Sequence, residues 1–234
     1  AITERAHHHN LAVAAHHVWL KDLGPLLELP FDSLEHITID GVMEDAHLAR
    51  MRERDLPVTS TFMTYGIIDF IDELATLLDE RGEVLLERTA LGNVREVVAQ
   101  IRSRVFVRPE FGPKTIETGM RFQLENLARL RDAGVRVGAG TDAGGAITPC
   151  GKLVWELRSF VRGGYSPLEA LQAATTEAAK IVGLPELGLL APGRPADVIL
   201  CNANPVGDIR ALEDVDVVIR DGVVFKNNVG TIPA

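Results

Sequence analysis

The sequence predicts an α/β fold in which a parallel sheet with connecting helices is followed by a small β-rich appendage. In the first half, short apolar runs alternate with helix-like segments, which is the rhythm of βα units. From Gly188 onward, Gly, Pro and Asp instead punctuate short β runs. We therefore predict a main domain over residues 1–187 and a β-rich portion over residues 188–234.

Four apolar runs predict the strands of the parallel sheet, because a helix-like segment precedes each of them. They are Leu11–His16, Phe31–His36, Pro57–Phe62 and Val135–Asp142. Side chains alternate along a strand, so Ala14 shares one face with His16, and Gly140 shares one with Asp142. Small residues on the axial face, followed by a polar residue at the carboxyl end, are what an active site in a closed parallel barrel needs.

The stretch between the third and fourth strands, about residues 65–118, is too long for an ordinary loop. Amphipathic patterns at Ile67–Leu78 and Val94–Ile101 predict a helical insertion there. Such an excursion can form a lid or pocket wall that selects the substrate, or it can simply add packing. The sequence leaves both interpretations open.

After the fourth strand, Ser166 and Glu169 have the spacing of a helix capping box. The C-terminal portion contains three predicted strands with Asp221-Gly222 as a hairpin turn between the last two. These strands are Val198–Cys201, Val215–Arg220 and Val223–Lys226.

Composition restricts the class of partner. A net charge of −9 and a pI near 5.3 give no basic surface for phosphates, so we expect no nucleic-acid partner and a small-molecule substrate instead. No apolar run reaches the roughly 18 to 20 residues of a membrane span, so no membrane partner is expected. Cys150 and Cys201 form neither a disulfide framework nor a zinc motif, which fits a reducing, cytoplasmic compartment.

Three predicted strand ends carry groups that can bind a metal: His16, His36 and Asp142. Imidazole nitrogen and carboxylate oxygen are ligands of zinc-type ions, including sites that keep a position open for water. A single histidine at a strand end is more often a hydrogen-bonded structural residue. Because parallel strands end at one rim, the three together favour a metal site.

Other chemically active side chains are weaker candidates. The histidines at positions 7–9 fall at a helix end, where solvent exposure is the favoured interpretation, and His47 lies on a charged helical segment. His17 alternates away from His16, toward the helix layer or the rim loop. Tyr65, at the start of the insertion, and Cys150, after the Asp142 loop, are the candidates for substrate binding, although a plain lining role suits Cys150 better.

Five stretches resemble, in order and spacing, the C-terminal half of metal-dependent amidohydrolases, in particular the branch of imidazolonepropionases and prolidase-like dipeptidases. They are LAVAAHH, FDSLEHI, VRVGAGTDAGG, GYSPLEALQAATTEAAKIVGL and LGLLAPGRPADVIL. The resemblance implies the C-terminal half of a (β/α)8 TIM-type barrel and the C-terminal strands of a small β-sandwich.

The same resemblance implies residue roles. His16 and His36 match the metal-binding histidines that end the fifth and sixth barrel strands, and Asp142 matches the eighth-strand aspartate, which contacts metal and shuttles a proton. The implied cofactor is a divalent metal, most simply zinc, as one or two ions. The implied reaction is hydrolysis of an amide-type C–N bond in a cyclic amide or dipeptide-like substrate by metal-activated water.

This sequence lacks the first-strand HxH pair of that family and its fourth-strand Lys or Glu. We therefore expect a missing N-terminal barrel half, supplied by upstream sequence or another chain, packed against the strands Leu11–His16 and Val135–Asp142. A homo-oligomer is also possible. The alternative is a non-catalytic fragment or degenerate homologue that folds only with a partner. A sugar or phosphate enzyme on a similar barrel is less favoured, because no phosphate-binding loop is recognisable.

Overall fold

A computed structural model describes residues 1–85, 88–102, 113–144 and 148–230. Its main domain begins with three helix–strand units that alternate along the chain. These are α1 (Ile2–His8), β1 (Ala14–His16), α2 (Leu20–Leu27), β2 (Ser33–Glu35), α3 (Asp45–Glu53) and β3 (Val58–Ser60). The helical excursion after β3 comprises α4 (Phe62–Gly66), a 3-10 turn (Ile67–Phe70), α5 (Ile71–Leu85), α6 (Arg88–Arg102) and α7 (Pro113–Asp132).

The fourth strand, β4 (Val137–Ala139), completes a parallel sheet of order β1-β2-β3-β4. After β4 come α8 (Leu153–Arg162), α9 (Pro167–Gln172), a π-turn (Ala173–Glu177) and α10 (Ala178–Ile181). The prediction of an α/β fold with four parallel strands is confirmed. Within the described residues, β1 and β4 are the two edges of this sheet.

Each strand is shorter than predicted, with three residues in the ladder. The flanking residues use their backbone amides elsewhere. The Leu11 amide donates to the Ala6 carbonyl, and the Val135 amide donates to the Leu130 carbonyl, so both residues belong to the ends of the preceding helices. Phe62 is the first residue of α4, and its amide donates to a carboxylate on α8. The apolar runs therefore include the turns that enter or leave each strand, and apolar character alone does not separate turns from ladder.

The core lies between the sheet and the helices that cover it. Leu34 and Val58 are paired in the ladder and fully buried. Phe160 on α8 is also fully buried, with its ring edge-to-face to Phe62 at 5.9 Å and to Tyr165 at 5.0 Å. Phe160 of α8 thus packs against the junction between β3 and α4.

The described part of the excursion after β3 is helical, and its apolar stripes are buried. Ile67, Phe70, Ile71, Leu74 and Leu78 follow the helical period and join the main core. Val94, Val98 and Ile101 on α6 join it as well. These contacts favour the packing interpretation over a free lid. Residues 86–87 and 103–112 of the predicted insertion lie outside the described residues.

The C-terminal portion forms a separate antiparallel sheet of order β5-β6-β7: β5 (Val198–Cys201), β6 (Val215–Arg220) and β7 (Val223–Asn227). Asp221 and Gly222 both have positive φ, 48° and 77°, as the predicted tight hairpin turn requires. Side chains of β7 are exposed, and the Phe225 side chain is 69% exposed. The sheet therefore presents apolar side chains to solvent.

The predicted capping box is present at the start of α9. The Glu169 amide donates to the Ser166 hydroxyl at 3.3 Å, and the Glu169 carboxylate accepts from the Ser166 amide at 2.7 Å. Among the described residues, no helix combines the length and apolar character that a membrane span requires.

Candidate functional site

Two strand-end histidines meet at the carboxyl edge of the parallel sheet. His16 ends β1 and His36 follows β2. Nε2 of His36 lies 2.9 Å from Nδ1 of His16, and the two rings are edge-to-face with centroids 4.6 Å apart. Two imidazoles separated by 20 positions in the sequence thus point their nitrogens at each other.

A shared axial face would bring the two rings together if His36 continued β2 with the alternation that places His16 on β1, but the register excludes this. The β1–β2 ladder pairs His16 with Glu35, so a regular continuation of β2 would place His36 on the opposite face. His36 instead has a φ of 77°, in the left-handed region that non-glycine residues rarely adopt. This turn takes the His36 ring out of the strand alternation and lets it meet His16.

The segment after β3 supports the His36 ring. Nδ1 of His36 lies 2.5 Å from the Thr61 hydroxyl oxygen. The Tyr65 ring stands edge-on to His36, with centroids 5.2 Å apart. His36 is buried while His16 is exposed, so one imidazole is held by the protein and the other is open to solvent.

Asp142 lies on the same side, beyond the end of β4. Its φ of 51° is again left-handed, and its carboxylate accepts a hydrogen bond of 3.4 Å from the Thr64 hydroxyl. Asp142 is exposed and acts electrostatically on both His36 and Tyr65. Within the described residues, however, no group of three or more histidine, cysteine or acidic side chains is close enough to hold a metal ion.

Burial sets the protonation of these groups. Burial, with the His16 ring adding to it, lowers the pKa of His36 to about 4, while Asp142 opposes the shift. Burial and the Asp142 carboxylate raise the pKa of Tyr65. Near pH 7, therefore, His36 is neutral, with one of its two ring nitrogens unprotonated. Tyr65 retains its proton, because its pKa lies above the already high ordinary value of a tyrosine.

The histidine pair fits a metal ion in donor type and spacing. Two nitrogens bound to one tetrahedral zinc ion lie about 3.3 Å apart, so the 2.9 Å separation of the His16 and His36 nitrogens needs little adjustment. The Thr61 contact at the other His36 nitrogen is the kind that orients a metal-binding imidazole. The pair supplies two ligands, so a complete site needs more.

His17 is buried behind the pair. Its Nε2 lies 2.9 Å from the Thr38 hydroxyl. Burial is the main cause that lowers the pKa of His17 to about 4, and the His36 and His16 rings add to it. His17 is thus a neutral core residue, consistent with its alternation away from His16.

Replacing His17 by Gln should flatten the acid dependence of stability. The folded-state pKa of about 4 lies below the ordinary value of 6.5, so the stability from keeping His17 neutral is present above pH 6.5 and is lost as the pH falls toward 4. Between about pH 7.5 and pH 5, wild type should lose on the order of 2 kcal/mol more unfolding free energy than His17→Gln. Urea unfolding at the two pH values measures this.

Titrating groups that do not interact with His17 cancel in that comparison because both proteins contain them. The exposed His9 provides the control, since His9→Gln should follow wild type. Equal acid sensitivity of His17→Gln and wild type would show that His17 is not held neutral.

The weaker candidates lie away from the pair. Nε2 of His7 is 2.8 Å from the Asp32 carboxylate, and His47 completes a capping box at the start of α3. The Cys150 thiol is exposed. Gly140 approaches β3 so closely that a Cβ would lie 2.6 Å from the Thr59 side chain, which explains this glycine without a bound phosphate. Gly145, in the same loop, lies outside the described residues.

The sequence reasoning missed Thr61 and Thr64, which contact His36 and Asp142. It also missed Glu156, a fully buried carboxylate on α8. Glu156 had a signal, because its neighbours Val154, Trp155 and Leu157 predict an apolar segment in which a carboxylate is unexpected.

With the fold and the strand-end histidines established, comparison with known proteins decides the family. The sequence pattern of the amidohydrolase family matches residues 1–225. The chain belongs to the amidohydrolase family. The family resemblance drawn from the five sequence stretches is therefore confirmed.

Relatives of this amidohydrolase chain include ochratoxinase from Aspergillus niger, 41% identical over 100 residues that make up 40% of the chain and 20% of the relative. Imidazolonepropionase from Deinococcus deserti is 39% identical over 82 residues, 35% of the chain and 21% of the relative. The structure resembles a Xaa-Pro dipeptidase crystallised with methionine in its active site, with a TM-score of 0.71 and 23% identity, over 97% of this chain and 47% of the dipeptidase.

This amidohydrolase chain spans about half the length of that dipeptidase, and its four parallel strands are the C-terminal half of a (β/α)8 barrel. The relatives are named for enzymes, so they lend no support to the alternative of a non-catalytic fragment.

Proposed function

We propose that this chain contributes part of the active site of a metal-dependent hydrolase that cleaves an amide-type C–N bond in a small cyclic amide or a dipeptide-like substrate. The observation that carries the proposal is the contact between Nδ1 of His16 and Nε2 of His36, with Asp142 acting electrostatically on His36. The names of the relatives, which include an imidazolonepropionase and a Xaa-Pro dipeptidase, suggest the substrate class.

His16 and His36 would hold the metal, most simply zinc, and Asp142 would be a further ligand. When bound, one or two such ions supply a Lewis acid that polarises the scissile carbonyl and lowers the pKa of water toward about 7. His36 is held by Thr61 from behind, so its Nε2 keeps one direction. In a mononuclear site, His36 can instead polarise the carbonyl of the substrate.

Asp142 is suited to move the proton. Its carboxylate is exposed, so water and substrate can reach it, and Thr64 fixes one oxygen. It would accept the proton of the attacking water and pass it to the leaving nitrogen. Tyr65, which keeps its proton because its pKa is raised, can donate a hydrogen bond to a substrate oxygen. Cys150, exposed on the following loop, remains a weaker candidate for substrate contact.

The remaining ligands would come from a complementary barrel half, either upstream sequence or another chain. It would pack against β1 and β4, the edges of the described sheet. Closing the barrel at these edges would also enclose Ala14 and His16, which are exposed on the face of β1 that points to the barrel axis. Association of two copies of this chain is the alternative.

Metal removal tests the proposed function. In the protein assembled with its complementary barrel half, chelation should abolish hydrolysis of cyclic amides and dipeptides, and added zinc should restore it. His16→Ala should lower the zinc content below that of wild type, because one of the two facing nitrogens is lost. Metal analysis and turnover before and after dialysis measure both effects.

His8→Ala is the matched control, because the histidines at positions 7–9 can bind zinc adventitiously. It should retain both stoichiometric zinc and activity. Turnover that persists after complete metal removal, or a zinc content lowered by His8→Ala and not by His16→Ala, would contradict the proposal.

A further inference from the structure

A buried carboxylate that takes no part in the proposed chemistry lies close behind the site. Glu156 on α8 is 0% exposed. One of its oxygens accepts from the Ser60 hydroxyl at 2.7 Å and from the Phe62 amide at 2.9 Å, and the other accepts from the Met63 amide at 3.2 Å. Burial raises the pKa of Glu156 to about 7, although these three donors oppose the shift.

The donors identify what Glu156 does to the backbone. Phe62 and Met63 are the first two residues of α4, so their amides lack partners within the helix. In an ordinary helix, the side chain at the N-cap position satisfies such amides. The N-cap residue here is Thr61, and its side chain makes no capping hydrogen bond. The carboxylate of Glu156, 95 positions further along the chain, accepts from these two amides instead.

The Thr61 hydroxyl is used elsewhere, 2.5 Å from Nδ1 of His36. One hydroxyl cannot hold that position and also turn back to cap its own helix, so the two uses compete. The same short segment carries Thr64, which donates to Asp142, and Tyr65, whose ring edge meets His36. The placement of α4 therefore sets three contacts of the candidate site.

We propose that Glu156 is a positioning residue, which caps α4 in place of Thr61 and so frees the Thr61 hydroxyl to fix the His36 ring. The relevance of this role to catalysis rests on the proposed function, whereas the capping of α4 by Glu156 is independent of it. Ser60 strengthens it, because its hydroxyl contacts Glu156 from the strand that leads into α4.

Nitrogen chemical shifts of the His36 ring test this role in the metal-free protein at about pH 8.5, where Glu156 is ionised and His36 is neutral. In wild type, both ring nitrogens are hydrogen-bonded, so one tautomer and two well-separated shifts are expected. Glu156→Gln replaces one acceptor oxygen by an amide that cannot accept from Met63. Thr61 should then turn back to cap α4, and the two His36 shifts should move toward each other.

Thr61→Val removes the hydroxyl directly and should produce the same change. The double variant should add little, because both changes act through one contact. Ser60→Ala is the control, since it leaves both helix amides capped by Glu156 and should keep the wild-type His36 signals. If Glu156→Gln does not fold, Glu156→Asp, which keeps the charge but withdraws it by one methylene, should give a smaller change in the same direction.

Wild-type nitrogen shifts of His36 in a folded Glu156→Gln or Glu156→Asp protein would overturn the proposal. Unchanged His36 shifts in Thr61→Val would overturn it as well. A purely structural role predicts lower stability with those signals intact. Since the measurement needs neither metal nor turnover, a protein that binds no zinc would refute the proposed function and leave this result standing.

Discussion

In the enzyme assembled with its complementary barrel half, replacing Asp142 by Asn should remove most of the turnover and leave the fold intact. The two side chains are nearly isosteric, and the hydrogen bond from Thr64 can be accepted by either. Only the carboxylate can accept the proton of the attacking water and pass it to the leaving nitrogen. Loss of this general base is expected to lower kcat by about 100-fold or more.

The control for this change is Asp221→Asn. Asp221 is also an exposed aspartate with a left-handed backbone, at a φ of 48° against 51° for Asp142, but it lies in the β6–β7 turn. It therefore reports any general effect of the substitution on backbone strain. Steady-state kinetics on active dipeptides or cyclic amides, with circular dichroism for the fold, separate the two variants. Turnover of Asp142→Asn close to that of Asp221→Asn would refute the role of Asp142.

The chain of residues 1–234, prepared alone, should not behave as a compact monomer with a sharp melting transition. Among the residues that the structure describes, β1 and β4 have no further strand beside them, and the C-terminal sheet exposes Val223, Val224 and Phe225. Apolar patches beyond a few hundred Å² are rare on soluble monomers and usually mark an interface. Self-association, or dependence on a complementary barrel half, is the expected behaviour.

Sedimentation velocity and thermal melting of the purified chain measure this. An edge-blocking variant sharpens the test. Val13 and His17 hydrogen-bond toward β2, so the Ala14 amide points to the open edge, and Ala14→Pro removes that donor without breaking the β1–β2 ladder. Association through β1 should weaken in this variant. A monomeric wild-type chain with a cooperative transition and bound metal would contradict the prediction.

Much of the fold could be predicted because the spacing of apolar residues along the sequence indicates which side chains are buried. The four parallel strands, the hairpin at Asp221-Gly222 and the Ser166 capping box all depend on local patterns, and the structure contains each of them. Strand length was overestimated because Leu11 and Val135 are apolar but belong to helix ends. Local patterns do not show which amides a turn uses.

The site was less accessible to sequence reasoning. His16 and His36 were named from their strand-end positions, yet their contact depends on the left-handed backbone at His36, which no pattern at that position indicates. Thr61 and Glu156 lie 25 and 120 positions beyond His36. Contacts over such separations are set by tertiary packing, so they become visible only in the folded chain.

The strand order also determines how the sheet can grow during folding. Each of the four parallel strands pairs with the next one along the chain, so no strand has to insert between two that are already joined. The first two pairings close short loops, whereas β3 and β4 are separated by the long helical excursion and must close a far larger one. We therefore expect β1, β2 and β3 to assemble early during synthesis, and β4 and α8 to join them later.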